Sequence, residues 1–141
     1  MSYATLAALL ERYDESEILV IADRDQDGEI DEAVVQDALD DATAEIDTWV
    51  QARYTLPLPR TPEILIRVCA DIAVYRLAVH ASFATEERRQ RYEDAVKLLR
   101  AIGNGSASLG MPDPPKTTSN RARLVNPNAR RFSRRSMRRL T

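Results

Sequence analysis

Five carboxylates crowd one point of the chain, in the run Asp23-Arg24-Asp25-Gln26-Asp27-Gly28-Glu29-Ile30-Asp31. Alternate acidic side chains in a tight loop converge on one point, where they can share a hard cation such as calcium. Gly28 stands where such a loop must turn sharply, and Glu29 can offer its backbone carbonyl. A second group of chemically capable residues lies near the other end. Arginine pairs occur at Arg130 and Arg131, Arg134 and Arg135, and Arg138 and Arg139, with Phe132, Met137 and Leu140 set among them. Guanidinium groups in such a run can hold carboxylates or phosphates through charge-assisted hydrogen bonds.

The acidic run resembles the calcium loop of an EF-hand. Asp23, Asp25 and Asp27 match its first, third and fifth positions, Gly28 the turn, Glu29 the carbonyl ligand and Asp31 the ninth position. The closing bidentate glutamate is missing: its position holds Val34, and Glu32 lies two residues too early. The competing reading is a connection whose acids favour the N-terminal dipole of the following helix. Other chemistry is sparse. His80 ends an apolar stretch with no serine or cysteine arguably beside it. Cys69 lies in the apolar part of a helix, where a thiol behaves as a small hydrophobe. No glycine-rich phosphate loop appears, so the residues point away from an enzyme.

The elements that position these groups read as helices. Ser2 is expected to cap a first helix carrying Leu6, Leu9, Leu10 and Tyr13, with a break at Asp14-Glu15-Ser16 and a short apolar segment from Ile18 to Ala22. After the acidic loop, Val35, Leu39, Ala42, Ile46, Trp49 and Val50 recur at helical spacing. They predict the longest helix, about 23 residues and roughly 35 Å, with one strongly acidic face. Pro57 and Pro59 end it. Thr61-Pro62-Glu63 starts a helix to about Ala81 that is apolar nearly all round, to be buried in the core or between subunits. Arg67, Asp71 and Arg76 interrupt it and need partners there. Thr85-Glu86-Glu87 starts a last helix, stopped by Gly103 and Gly105.

The 141 residues make one helical domain, residues 1–110, followed by an arm, residues 111–141. With two Phe and one Trp, the core must be built largely from Leu, Ile, Val and Ala. No apolar run suits a membrane span, and the first residues do not read as a secretory signal. The net charge of −2 conceals a division: nine basic residues and one acid beyond Gly110 give +8, and eleven basic and 21 acidic residues before it give −10. The basic arm admits three uses: nucleic-acid phosphates, an acidic protein surface, or a nuclear address. The acidic body disfavours sustained nucleic-acid binding by the whole chain.

Several stretches together resemble a family. These are Tyr3-Ala4-Thr5-Leu6, the acidic run, Ala44-Glu45-Ile46-Asp47, Ala52-Arg53-Tyr54-Thr55-Leu56-Pro57-Leu58, Asp71-Ile72-Ala73-Val74-Tyr75-Arg76-Leu77, and Arg91-Tyr92-Glu93-Asp94-Ala95-Val96-Lys97-Leu98-Leu99. They are similar to the Mu-like prophage proteins encoded among phage head and tail genes, over roughly residues 1–110. The Arg-Tyr-x-Leu-Pro-Leu stretch is the most specific piece. The resemblance implies an all-α bundle of four to five helices acting as a head–tail connector, with no catalytic residues. Such proteins form a ring of about twelve copies beneath the portal protein and above a stopper or tail-completion protein. DNA passes through the lumen without sequence-specific binding, and a C-terminal arm grips the portal. The implied location is the virion neck, reached from the host cytoplasm during assembly. No cofactor is implied, and calcium at the acidic loop is left to the residues themselves. The alternatives are an EF-hand-like calcium-binding module and a nucleic-acid-associated protein acting through the arginine-rich arm.

Overall fold

The computed structural model describes residues 1–112. Those residues form five α-helices and no strand, an all-α bundle: α1 Leu6–Arg12, α2 Glu15–Ala22, α3 Glu32–Val50, α4 Glu63–His80 and α5 Glu86–Asn104. Helix α4 is the centre. Leu65, Val68, Cys69, Ile72, Val74 and Leu77 point to different sides of it and are all buried. It packs against each of the other four helices, and α3 and α5 also pack on one another. The all-round apolar helix is therefore the core of this chain. Each fully buried Leu, Ile or Val on it contributes about 1.5–3 kcal/mol.

Helix α1 begins later than Ser2 suggests. Thr5 is its cap, accepting from the Ala8 amide at 3.3 Å, while the Ser2 hydroxyl donates to the Ala4 carbonyl at 2.8 Å. The segment read as a short apolar stretch is a helix, α2, with Glu15 and Glu17 in its first turn, where acids favour the dipole. It buries Ile18, Ile21 and Ala22. Eight residues give too few turns for periodicity to announce it.

Of the expected stripe on α3, Val35, Leu39, Ala42, Ile46 and Val50 are buried, and Trp49 is half-buried against the core. At 19 residues it spans about 28 Å, shorter than expected and equal in length to α5. The chain leaves the helix at Gln51, before the prolines, and closes a last turn with the Tyr54 amide on the Val50 carbonyl at 2.8 Å. At the start of α4, Pro62 takes the cap position and the exposed Thr61 makes no capping bond. Thr85 caps α5 as expected, accepting from the Arg88 amide at 3.3 Å.

The two glycines near the end of α5 differ in role. Gly105 stops the helix in the left-handed region, at φ 89°. Gly103 stays helical and allows close approach: a Cβ there would sit 3.0 Å from the Trp49 carbonyl oxygen. It lets the end of α5 lie directly on the end of α3.

Candidate functional site

The acidic loop joins α2 to α3. The Asp31 amide donates to the Ala22 carbonyl at 3.2 Å and closes it. Gly28 adopts φ 87° and Gln26 φ 61°, both in the left-handed region, which suits glycine and strains glutamine. Asp23, Asp25 and Asp27 converge as their spacing predicts, each with one carboxylate oxygen within 4.8 Å of the others. Much of that oxygen is already engaged. Asp23 accepts from the Asp27 amide at 3.2 Å and the Gly28 amide at 3.0 Å, and Asp27 from the Glu29 amide at 2.8 Å. Asp31 accepts from the Arg24 amide at 3.2 Å. Glu29 is exposed, and Val34 at the closing position is half-buried and offers no ligand. Desolvation within the loop, followed by the Asp27 charge, raises the Asp25 carboxyl above its ordinary value. The loop thus supports itself through backbone bonds and gathers three carboxylates at one point.

Arg67, Asp71 and Arg76 of α4 each have a charged or hydrogen-bonding partner, and the buried Arg76 Nε has none among the described residues. The buried Tyr13 hydroxyl donates to Asp71 at 2.6 Å, and Arg67 lies 3.9 Å from the same carboxylate. The Arg91 guanidinium sits over the Tyr13 ring at 5.6 Å. Arg76 donates to Glu45 of α3 at 2.6 Å, and Tyr92 of α5 donates to the same carboxylate at 3.0 Å. Tyr92 also stacks on Tyr75, ring centres 4.6 Å apart. Glu45 therefore ties three helices together, and its hydrogen bond holds Arg76 above the ordinary guanidinium value. Tyr3 donates to Asp47 from the start of the chain. Burial and then that bond push its hydroxyl well above the ordinary tyrosine value.

The outer surfaces of α3 and α5 differ. On α5, Arg89 pairs with Glu86 at 2.9 Å, Arg91 with Glu87 at 2.6 Å, and Lys97 with Asp94 at 3.4 Å. Its charges cancel locally. Helix α3 contains no basic residue at all, and Glu32, Asp37, Asp40 and Asp41 are exposed on it.

The Arg-Tyr-x-Leu-Pro-Leu stretch has a structural task that periodicity does not reveal. Arg53 donates to the Ala107 carbonyl at 2.7 Å, and the buried Tyr54 hydroxyl accepts from the Leu109 amide at 3.2 Å. Arg60 donates to the Gly110 carbonyl at 3.1 Å. Leu109 and Met111 are buried. The stretch fastens the chain just before the basic arm departs. The arm residues themselves, Arg130, Arg131, Phe132, Arg134, Arg135, Met137, Arg138, Arg139 and Leu140, lie outside the described residues. Cys69 is buried, with burial raising its thiol, and His80 is exposed at the end of α4. Among the described residues no helix is long and apolar enough to cross a membrane.

These features define a class: an all-α bundle whose distinctive groups are charged surfaces and a fastened C-terminal segment. The chain belongs to the family described as Bacteriophage Mu, Gp36, which matches residues 3–126. It is 39% identical over 115 residues to the Mu-like prophage FluMu protein gp36 of Haemophilus influenzae, covering 82% of this chain and 80% of the relative. It is 35% identical over 112 residues to Gene product J of Escherichia phage Mu, covering 79% and 78%. The family match extends past residue 110 into the arm and stops before the arginine pairs.

The Tyr13 contact generates a pH prediction. Burial first, then the bond to Asp71, pushes the Tyr13 hydroxyl up to about 12. The folded state thus favours the neutral phenol. Its contribution is fully present below the unfolded value near 10 and is lost as pH rises towards 12, about 2–3 kcal/mol in all. Urea denaturation at pH 9 and at higher pH is expected to show this loss. Tyr3 and Tyr92 add losses of the same sign, so Tyr13→Phe should flatten the alkaline slope without abolishing it.

Proposed function

We propose that the chain is a non-catalytic head–tail connector of a Mu-like phage. Copies of it would form a ring of about twelve subunits beneath the portal protein. The ring would carry the DNA channel on to a downstream stopper or tail-completion protein. The protein would act in the virion neck after assembly in the host cytoplasm.

The observation that carries this reading is the outer face of α3, where Glu32, Asp37, Asp40 and Asp41 face solvent on a helix without a basic residue. A channel wall of that sign repels phosphates, and repulsion lets duplex DNA slide without sequence-specific contact. Family membership supplies the phage setting. Because most of α4 is buried within its own chain, ring contacts would draw mainly on other surfaces. The arginine pairs of the arm, from Arg130 to Arg139 with Phe132, Met137 and Leu140, would dock on an acidic portal surface. Native mass spectrometry of the full chain mixed with the portal ring from the same genome tests this. Addition of about twelve copies, weakened in a variant ending at Gly110, is expected; no addition would overturn the reading.

A second reading, weak calcium binding, is favoured by the convergence of Asp23, Asp25 and Asp27 within 4.8 Å. Glu29 through its carbonyl and Asp31 would complete the ligands. Without a bidentate ligand at Val34, the affinity should lie at or beyond the weak end of the EF-hand range, about 1 mM. Calorimetry should then give weak heats with the wild type and less with Asp25→Ala. Absence of heat in both would retire calcium and leave the loop as a helix connection.

A further inference from the structure

The surface opposite the arm's point of departure carries a groove whose apolar lining no function considered so far uses. Two hollows of about 580 and 570 Å³ share Leu19 as a wall. Their apolar lining comes from Leu6, Leu10 and Ile30 on one side of Leu19, and Val20, Ala81 and Phe83 on the other. Val20 and Phe83 are each 53% exposed and Leu10 is 38% exposed. Among the described residues the other large apolar side chains this exposed are Met1 and Val79, so three of five gather at this place. Acids share the lining: Glu15, Glu29 and Glu32 line one hollow and Asp23 the other. Asp25 and Asp27 stand beside Asp23. Arg24 and His80 also line the second hollow, so acids outnumber bases around the groove.

We propose that this groove holds the chain's own arm, residues 130–140, until another partner takes it. The complementarity is twofold. Arg130, Arg131, Arg134, Arg135, Arg138 and Arg139 would meet the acids of the lining, and Phe132, Met137 and Leu140 its apolar side chains. The division of the sequence into a body of −10 and an arm of +8 gives the arm its nearest opposite charge on its own body. Reach allows it. Pro112 departs beside Tyr54 and Pro59, at the end of the bundle where α4 begins. The groove lies where α4 ends, about 27 Å away along an 18-residue helix. The intervening residues 113–129 can span up to about 60 Å. Tethering also keeps the arm at high effective concentration around its own groove, well above that of free copies. The acidic loop then has a use that needs no metal: its carboxylates receive guanidinium groups. The proposal rests on the arm being a docking segment, and adds that it is sheltered before it docks.

The test uses the full chain. Thr141→Cys takes a nitroxide label at the terminus, Cys69 being buried. At low salt, the amide signals of Leu10, Val20 and Phe83 should lose most of their intensity, and those of Trp49 and Gln51 at the far end of α3 should keep theirs. The double variant Val20→Asp, Phe83→Ser, at two half-exposed positions outside the buried core, should restore the signals. An isotopically labelled unmodified chain mixed with a spin-labelled chain separates the sources. Broadening confined to that mixture would overturn the proposal in favour of a second copy. Retained intensity in the groove, or loss centred elsewhere, would overturn it outright. Neither result bears on portal addition and its weakening by truncation, which judge the connector reading separately.

Discussion

Helix α4 is the constraint on which the rest depends. Its apolar side chains leave almost no face suited to water, so the chain must surround it. Helices α3 and α5 cover two sides, and α1 and α2 cover what remains. Enclosure raises the cost of the partly buried ionisable groups on α4, and Asp71 and Arg76 are each answered by a bond from a distant part of the chain. Tyr13 meets Asp71 across 58 residues, and Glu45 meets Arg76 across 31. The polar bonds therefore fix how the surrounding helices are set around α4, and the apolar burial supplies most of the stability.

With the interior filled, the charges are divided among the surfaces, and that division carries the functional reading. Helix α5 neutralises its own outer face through pairs three and four residues apart. Helix α3 leaves Glu32, Asp37, Asp40 and Asp41 exposed with no basic residue on the helix, and the α2–α3 loop adds three more carboxylates at one end of the bundle. Basic charge is gathered beyond the last described residue, past a segment that Arg53, Tyr54 and Arg60 fasten to the body. The acidic helix face, the partly acidic groove and the basic arm carry opposite charges within one chain.

Much of this was legible in the sequence, because local spacing encodes it. The apolar stripe of α3, the all-round burial of α4, the Thr85 cap and the convergence of the aspartates follow from positions a few residues apart. The aromatic-poor core also follows from composition, and Phe83 is not even part of it. Short elements were harder. Helix α2 has too few residues to show a period, and Ser2 and Thr61 offered hydroxyls that the backbone did not use for capping. Least legible were the contacts between distant residues. Nothing near Tyr54 in sequence shows that its hydroxyl receives the Leu109 amide, and nothing near Gly103 shows that the Trp49 carbonyl lies against it. The loop illustrates the limit for the candidate site. Spacing brought the carboxylates together, but only the backbone reveals that their oxygens already accept amide hydrogens.

The central claim is that the bare acidic face of α3 faces passing DNA. Electron cryomicroscopy of the neck of the particle that contains this protein, at a resolution that places helices, tests it most directly. The account predicts a ring of this chain beneath the portal, with Asp37, Asp40 and Asp41 lining the channel. A ring with α3 turned outward and a basic lumen, or a neck without this chain, would contradict it.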